Sequence, residues 1–523
     1  MDVTYDRFDQ GLDVRKGKSV SDANRMRVLR NAHPTPGRQI RKRACYRLIA
    51  ILEAGTTGLK AAQGKLNTFY PHGTAVTHAN SLFQANRVAH PTLADANGLL
   101  EKIHYCDSFQ NALYVAVEYA NGDVRHHYLA DPGAWVASTN YSVGDFRRPT
   151  TPNGYVYEVT ADSGSSDSGE PTWPTTVGDT VVDSGITWTC RATNVKDTNC
   201  PNSAAVVKMA SKLFGIGGAT VPFCATNDAT DWTTTSDAGF LAVGLQQKGS
   251  TEPAALGEYK KQLGVFFPDG IQIWDVDPDP SNMALANKVE GVGSQYGKTI
   301  QLVGGDLFFL TKFGFKSLTV ADFVDNLLDV DIGSPIDDLI KAEITDSDDP
   351  IAVFFQAAGQ YVVMFPTKAW CFTFSRSGKL AAWAEFTFPF SIDDATVLEA
   401  TVYAREGNNV YELDFEAYKD GDSSIPLVEI EMPFLDMKKP GHLKQFVGFD
   451  FVGKGTAAIK FKLDARNEDI VTDTLSVKGD TRQGDMVPLV AEAVAIAPII
   501  THQADEEFEL HALTFYFEDL GPQ

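Results

Sequence analysis

NALYVAVEYANGDVRHHYLA, Asn111 to Ala130, decides the fold class. β-Branched and aromatic residues crowd both halves, and Asn121-Gly122 stands between them. That dipeptide suits a type I′ hairpin turn, which needs positive φ at both central positions. The same grammar recurs. KQLGVFFPDGIQIWDVDPDP (Lys261 to Pro280) is expected to turn at Asp269-Gly270, and TIQLVGGDLFFLTKFGFKSLTV (Thr299 to Val320) at Gly304-Gly305. Residues 360–388 read as three strands with a turn at Ser377-Gly378, and 400–415 turn around Gly407-Asn408. Such units follow one another at roughly 40-residue intervals, the sequence mark of a β-propeller. A sandwich or jelly roll is the alternative, because the units share no clean motif.

Helical periodicity is weak. Two segments are expected to be helical: 203–213 (SAAVVKMASKL) and 335–343 (PIDDLIKAE), the second with Ser334 as N-cap and Pro335 at its first position. After Ser424 longer strands take over. The expected architecture is therefore mainly β: a basic N-terminal arm (1–60), a β-propeller-like core (61–131 and 195–424), an inserted small β module (132–194) and a C-terminal β-sandwich-like domain (425–523). The Ser/Gly-rich stretch 161–169 is expected to be slack that lets the module project outward.

The chain is strongly acidic, with net charge −23 over 523 residues. That argues against tight binding to nucleic acid or anionic membranes, which both need a basic face. Residues 1–60 oppose the trend, carrying 13 Lys/Arg against 6 Asp/Glu. Arg25, Arg27, Arg30, Arg38, Arg41, Lys42 and Arg43 are accordingly candidates for contact with an acidic adaptor or a neighbouring subunit. The start, MDVTYDRFDQ, has no signal-peptide pattern, and VAEAVAIAPII (Val490 to Ile500) is too short to span a bilayer, so no stable membrane insertion is expected. The six cysteines show no metal spacing and read as free thiols, although Cys190 and Cys200 could clip the base of the inserted module.

No nucleophile elbow, P-loop or HExxH occurs, so no catalytic, cofactor or metal residues are expected. GVGSQYG (Gly291 to Gly297) has the wrong spacing for a dinucleotide fingerprint. His126 and His127, adjacent on a strand, point to opposite faces and cannot share a metal. Asp275, Asp277 and Asp279 alternate in the manner of calcium ligands, without the rest of a known loop. Asp346, Asp348 and Asp349, and the pair Asp393-Asp394, read as solvated turn residues. In the module, Trp135, Tyr155, Trp173 and Trp188 are candidates for stacking on a glycan or touching a fibre, set against service in the module's own core.

GLDVRKGKSVSDANRMRVLRNAHPTPGRQIRKRACYRLI (Gly11 to Ile49) resembles the N-termini of tail nozzle or hub proteins of short-tailed bacteriophages. Gly11, Leu12, Asp13, Leu29, Arg30, Asn31, Arg41, Lys42 and Arg43 carry the likeness. Residues 225–244, 264–280, 304–320, 375–390 and 408–422 also look like that family's blades, while 132–194 is similar to a β module of phage structural proteins. The resemblance implies a homo-hexameric virion ring below the portal and adaptor. It would meet tail fibres, retain genomic DNA, and let that DNA leave through an acidic lumen without gripping it. A receptor-binding or fibre-attachment protein, and a propeller glycosidase or depolymerase, are the alternatives.

Overall fold

Consecutive small, largely antiparallel sheets, whose first strands lie side by side around most of the ring, make the body of the molecule. The computed structural model describes all residues except 72–79, 92–98, 250–251, 320–330, 346–348, 376–379, 422, 481–485 and 523. The expected turn at Ser377-Gly378 and the carboxylates of Asp346 and Asp348 lie outside the described residues.

Seven sheets follow in chain order, and their first strands are Thr57–Ala62, Leu100–Phe109, Val206–Met209, Ala255–Tyr259, Gln301–Val303, Ile351–Phe355 and Asp394–Leu398. They are numbered here as blades 1 to 7. The first strand of blade 7 returns to that of blade 1, so the ring closes. Between blades 2 and 3 the link is made by Lys208, whose Nζ donates to Ser108 O (2.8 Å) and pairs with Asp107 (2.6 Å). The protein is a mainly β chain with a β-propeller core.

Why the blades stack follows from Asn111 to Ala130. The strand Ala112–Tyr119 is apolar on both faces, and nearly every residue is buried. Leu113, Val115 and Val117 face Phe69 and Val88 of blade 1, while Tyr114 on the opposite face meets Leu213 and Trp232 of blade 3. A strand sandwiched between two neighbouring blades needs no polar face, so alternation is lost. Similar cores join blades 3 and 4 through Phe223 and Val265, blades 4 and 5 through Phe266 and Phe309, and blades 7 and 1 through Tyr403 and Leu66.

The ring is locked by an N-terminal strand. Cys45–Ile51 pairs antiparallel with Asn409–Asp414 and forms the fourth strand of blade 7. Residues 1–44 are not an arm. Asp2–Tyr5 pairs with Glu509–Pro522, Ile40–Lys42 pairs with the same strand, and Val28–Arg30 bridges Ala381–Thr387 of blade 6 to Val428–Glu431. The expected segments 1–60 and 425–523 are therefore not separate units but share one sheet with blade 6. It runs from blade 6 through the N-terminal strands into the C-terminal region, where the 21-residue strand His442–Lys462 is the hub.

Three further expectations are corrected. Residues 203–213 form a hairpin, Val206–Met209 with Lys212–Gly215, not a helix. Ala210 (φ 49°) and Ser211 (φ 59°) make its two-residue left-handed turn without any glycine to announce it. The second helix covers Asp337–Glu343 with Ile336 at the N-cap and no side-chain cap, so neither Ser334 nor Pro335 holds its expected place. At Asn121-Gly122 only Gly122 has positive φ (83°), and its N–H bonds to Tyr119 O (2.7 Å). The connection is thus a longer turn than type I′. Gly304 and Gly305, both at positive φ, do form the expected two-residue turn.

Candidate functional site

The residues that carry the N-terminal resemblance meet at the seam between blade 6 and the C-terminal strands. Gly11 has φ 59°, and a Cβ there would stand 2.6 Å from Trp383 O, so only glycine fits. Asn31 is also left-handed (φ 54°) and fully spends its amide. Its Nδ2 donates to Thr387 Oγ1 (2.9 Å) and Leu427 O (2.8 Å), while Oδ1 accepts from Arg43 Nε (3.0 Å) and Thr387 N (2.8 Å). Arg43, 2% exposed, grips Asp420 through both terminal nitrogens and donates to Thr387 O (2.7 Å). Asp420 in turn accepts from Tyr46 N (3.0 Å) at the start of the locking strand. One buried network thus fixes blade 6, blade 7 and the N-terminus together.

This placement corrects the reading of the basic cluster as a free contact surface. Lys42 and Arg43 are buried, the lysine capping the carbonyls of Tyr418 (3.2 Å) and Ala504 (2.9 Å). Arg30 pairs with Glu429 (2.6 Å) and Glu385 (3.3 Å), Arg41 with Glu509 (2.6 Å), Arg25 with Asp13 and Asp22, and Arg38 with Asp9 (3.6 Å). Arg27 donates to Lys16 O (3.3 Å). The positive charge of the segment is matched by carboxylates within the same chain, many from beyond residue 380.

The inserted module is a four-stranded sheet of Phe146–Arg147, Tyr155–Asp162, Ile186–Ala192 and Thr180–Asp183. The returning chain pairs with the outer edge of blade 2 through His127 and Asn194, and Ala89 at the end of blade 1 enters the module's core. Trp135, Tyr155 and Trp188 are buried, and Trp173 is half-buried against Tyr157 and Trp188. Buried Asp183 accepts from both Trp135 Nε1 (2.7 Å) and Trp188 Nε1 (3.1 Å). Three of the four glycan candidates are therefore core residues, since so small a sheet needs its aromatics inside. The stretch 161–169 is pinned rather than slack: Ser163 N bonds to Gly185 O (2.8 Å), and Ser166 Oγ to Val136 O (2.8 Å). Cys190 and Cys200 are free, as are the other four cysteines, and they lie in different cores.

The remaining candidates resolve one by one. His126 and His127 do face opposite ways, to Tyr114 Oη (2.7 Å) and Tyr119 Oη (3.0 Å), in separate interblade cores. Burial holds the first down to about 4 and the second to about 3. Asp277 and Asp279 accept backbone N–H groups of their own turn, and Asp275 accepts from Gln262.

A cavity of about 500 Å³ lies at one mouth of the propeller channel, where the first strands of four blades converge. Its walls come from blades 1, 2, 6 and 7, and Asp393, Asp394 and Arg405 line it. Asp394 is not solvated turn: it is buried and ties blade 7 to blade 1 through Leu59 N (2.8 Å) and Lys60 Nζ (2.8 Å). Lys298 and Asp349, paired at 2.6 Å, line the same cavity and also border a second one beside His104. His104 sits 2.6 Å from Glu118, but burial outweighs that carboxylate and lowers its proton affinity. Sequence reasoning missed Arg405, Lys298 and His104, because their neighbours come from other blades.

No family model and no curated protein matches the chain. Solved structures similar to it include a chain of a mitotic checkpoint complex (11% identity, 65% of this chain and 98% of that one, TM-score 0.27). The Neurospora crassa Pan2 WD40 domain has 10% identity over 60% of this chain and 88% of that one, and the S. cerevisiae core factor has 12% over 60% and 56%, both at TM-score 0.27. Among the described residues no helix is long and apolar enough to cross a membrane.

Proposed function

We propose that the chain is a non-enzymatic virion structural protein, a tail nozzle or hub of a short-tailed bacteriophage. It assembles as a homo-hexamer beneath the portal and adaptor, holds the genome in place, and conducts DNA outward on infection. The observation that carries this reading is where the likeness falls. Gly11, Asn31 and Arg43, three of the residues by which the N-terminus resembles that family, are the ones that weld the propeller to the C-terminal strands. Residues kept for a frame of this kind are what a shared architecture requires. The net charge of −23 supports a conduit role, because an acidic wall denies DNA the counterion release that would hold it. Imaging of the protein mixed with its head-to-tail adaptor tests the proposal: sixfold rings seated on the adaptor are expected, and particles that never bind it would overturn the reading. Duplex DNA at 0.15 M salt should not be retained at micromolar protein, which an electrophoretic shift assay checks.

A further inference from the structure

Arg43 and Arg405 are both buried and differently treated. Arg43 is met by the carboxylate of Asp420. Arg405, 8% exposed, has Nη1 on two carbonyls, Gly407 O (2.6 Å) and Thr56 O (3.3 Å), and a buried Nε with no partner. Among the described residues no carboxylate forms an ion pair with it. Asp394 stands directly opposite on the neighbouring strand, but its oxygens are taken by Leu59 N and Lys60 Nζ. Asp393 accepts from Gly407 N (2.6 Å). Removing a guanidinium from water costs several kcal/mol unless a counter-charge meets it.

This guanidinium lines the cavity of about 500 Å³ at the channel mouth, a volume typical of small-molecule sites. The same walls present the exposed Lys102 and Glu101, the Lys298–Asp349 pair, the carboxylates of Asp393 and Asp394, and apolar Ile103 and Met364. One buried cation without a carboxylate partner among the described residues, several hydrogen-bond acceptors and an apolar wall define the complement: an anionic head, several hydroxyl donors and a ring face. We propose that the channel mouth binds a sugar acid. Its carboxylate lies on Arg405 with help from Lys102, its hydroxyls donate to Asp349 and Asp393, and its ring covers Ile103 and Met364. Inorganic phosphate would answer the arginine but leave the acceptors and the apolar wall unmatched, and a neutral sugar would leave the arginine uncompensated. The proposal is independent of the tail reading.

Calorimetric titration of the full chain with glucuronate, glucose and inorganic phosphate tests it. Saturable glucuronate binding is expected, at least tenfold tighter than either of the other two. Arg405→Gln should weaken it tenfold or more. Because Arg405 also braces the Thr56 and Gly407 carbonyls and its loss can unfold the blade, Lys102→Glu is the second variant: a severalfold loss at unchanged melting temperature. No saturable glucuronate binding, equal affinity for glucose or phosphate, or binding indifferent to Lys102→Glu and, where it folds, to Arg405→Gln would each overturn it.

Discussion

Asn31 and Arg43 show how much a single side chain can hold. Removing the guanidinium leaves Asp420 charged and buried without its counter-charge, held only by the Tyr46 N–H, which typically costs about 3–5 kcal/mol. Arg43→Ala should therefore lower the urea midpoint sharply or abolish folding. Arg43→Met combined with Asp420→Leu should recover most of the loss, since an ion pair replaced whole by apolar groups leaves no orphan charge. In the module, Trp188→Ala should cost about 3–5 kcal/mol and unfold the local sheet, read by near-ultraviolet dichroism, whereas Trp173→Ala on the half-buried face should cost less. Arg43 was legible as basic but not as buried. Sequence gives its charge, while Asp420 lies 377 residues away and reaches it only through the fold.

At the scale of the element, the true repeat of this propeller is its first hairpin turn. Two residues join the first and second strands at Gln63-Gly64, Ala210-Ser211, Lys260-Lys261 and Gly304-Gly305, and all eight have positive φ. Only three of the eight are glycine. Non-glycine residues pay a steric penalty in that region. Ala210→Asn with Ser211→Gly should therefore raise stability by about 1 kcal/mol, measured by chemical denaturation. This explains what the sequence could and could not say. Strands and the mainly β class were readable from β-branched and aromatic runs, whereas SAAVVKMASKL looked helical because its turn residues favour helix. The locking strand was hidden for another reason: Cys45–Ile51 pairs with residues more than 350 positions later, and no local pattern encodes such a partner. Deleting residues 1–51 should open blade 7, seen as rapid proteolysis within 394–414, while deleting 134–192 should leave the ring intact.

Over the whole molecule, buried neutral histidines set the response to acid. Burial depresses His33 and His126 to about 4 and His127 to about 3, below their unfolded value near 6.5. The unfolded chain then binds more protons between those limits, so stability is present above pH 6.5 and is lost as pH falls toward 4. The slope is up to about 1.4 kcal/mol per pH unit for each group. Asp331 works against them: burial raises it to about 6, so its own contribution favours the fold as pH drops from 6 to 4. His104 and His502 are lowered by burial as well, and Asp337 is raised, so five histidines stand against two carboxylates; the histidines win, and denaturation midpoints should fall steadily from pH 7 to pH 4. Assembly is the central claim at this scale. Native mass spectrometry of the 57.0 kDa chain with its adaptor should give a species near 340 kDa, six copies, added to the adaptor mass. A chain that remains at 57.0 kDa throughout the titration would contradict the account.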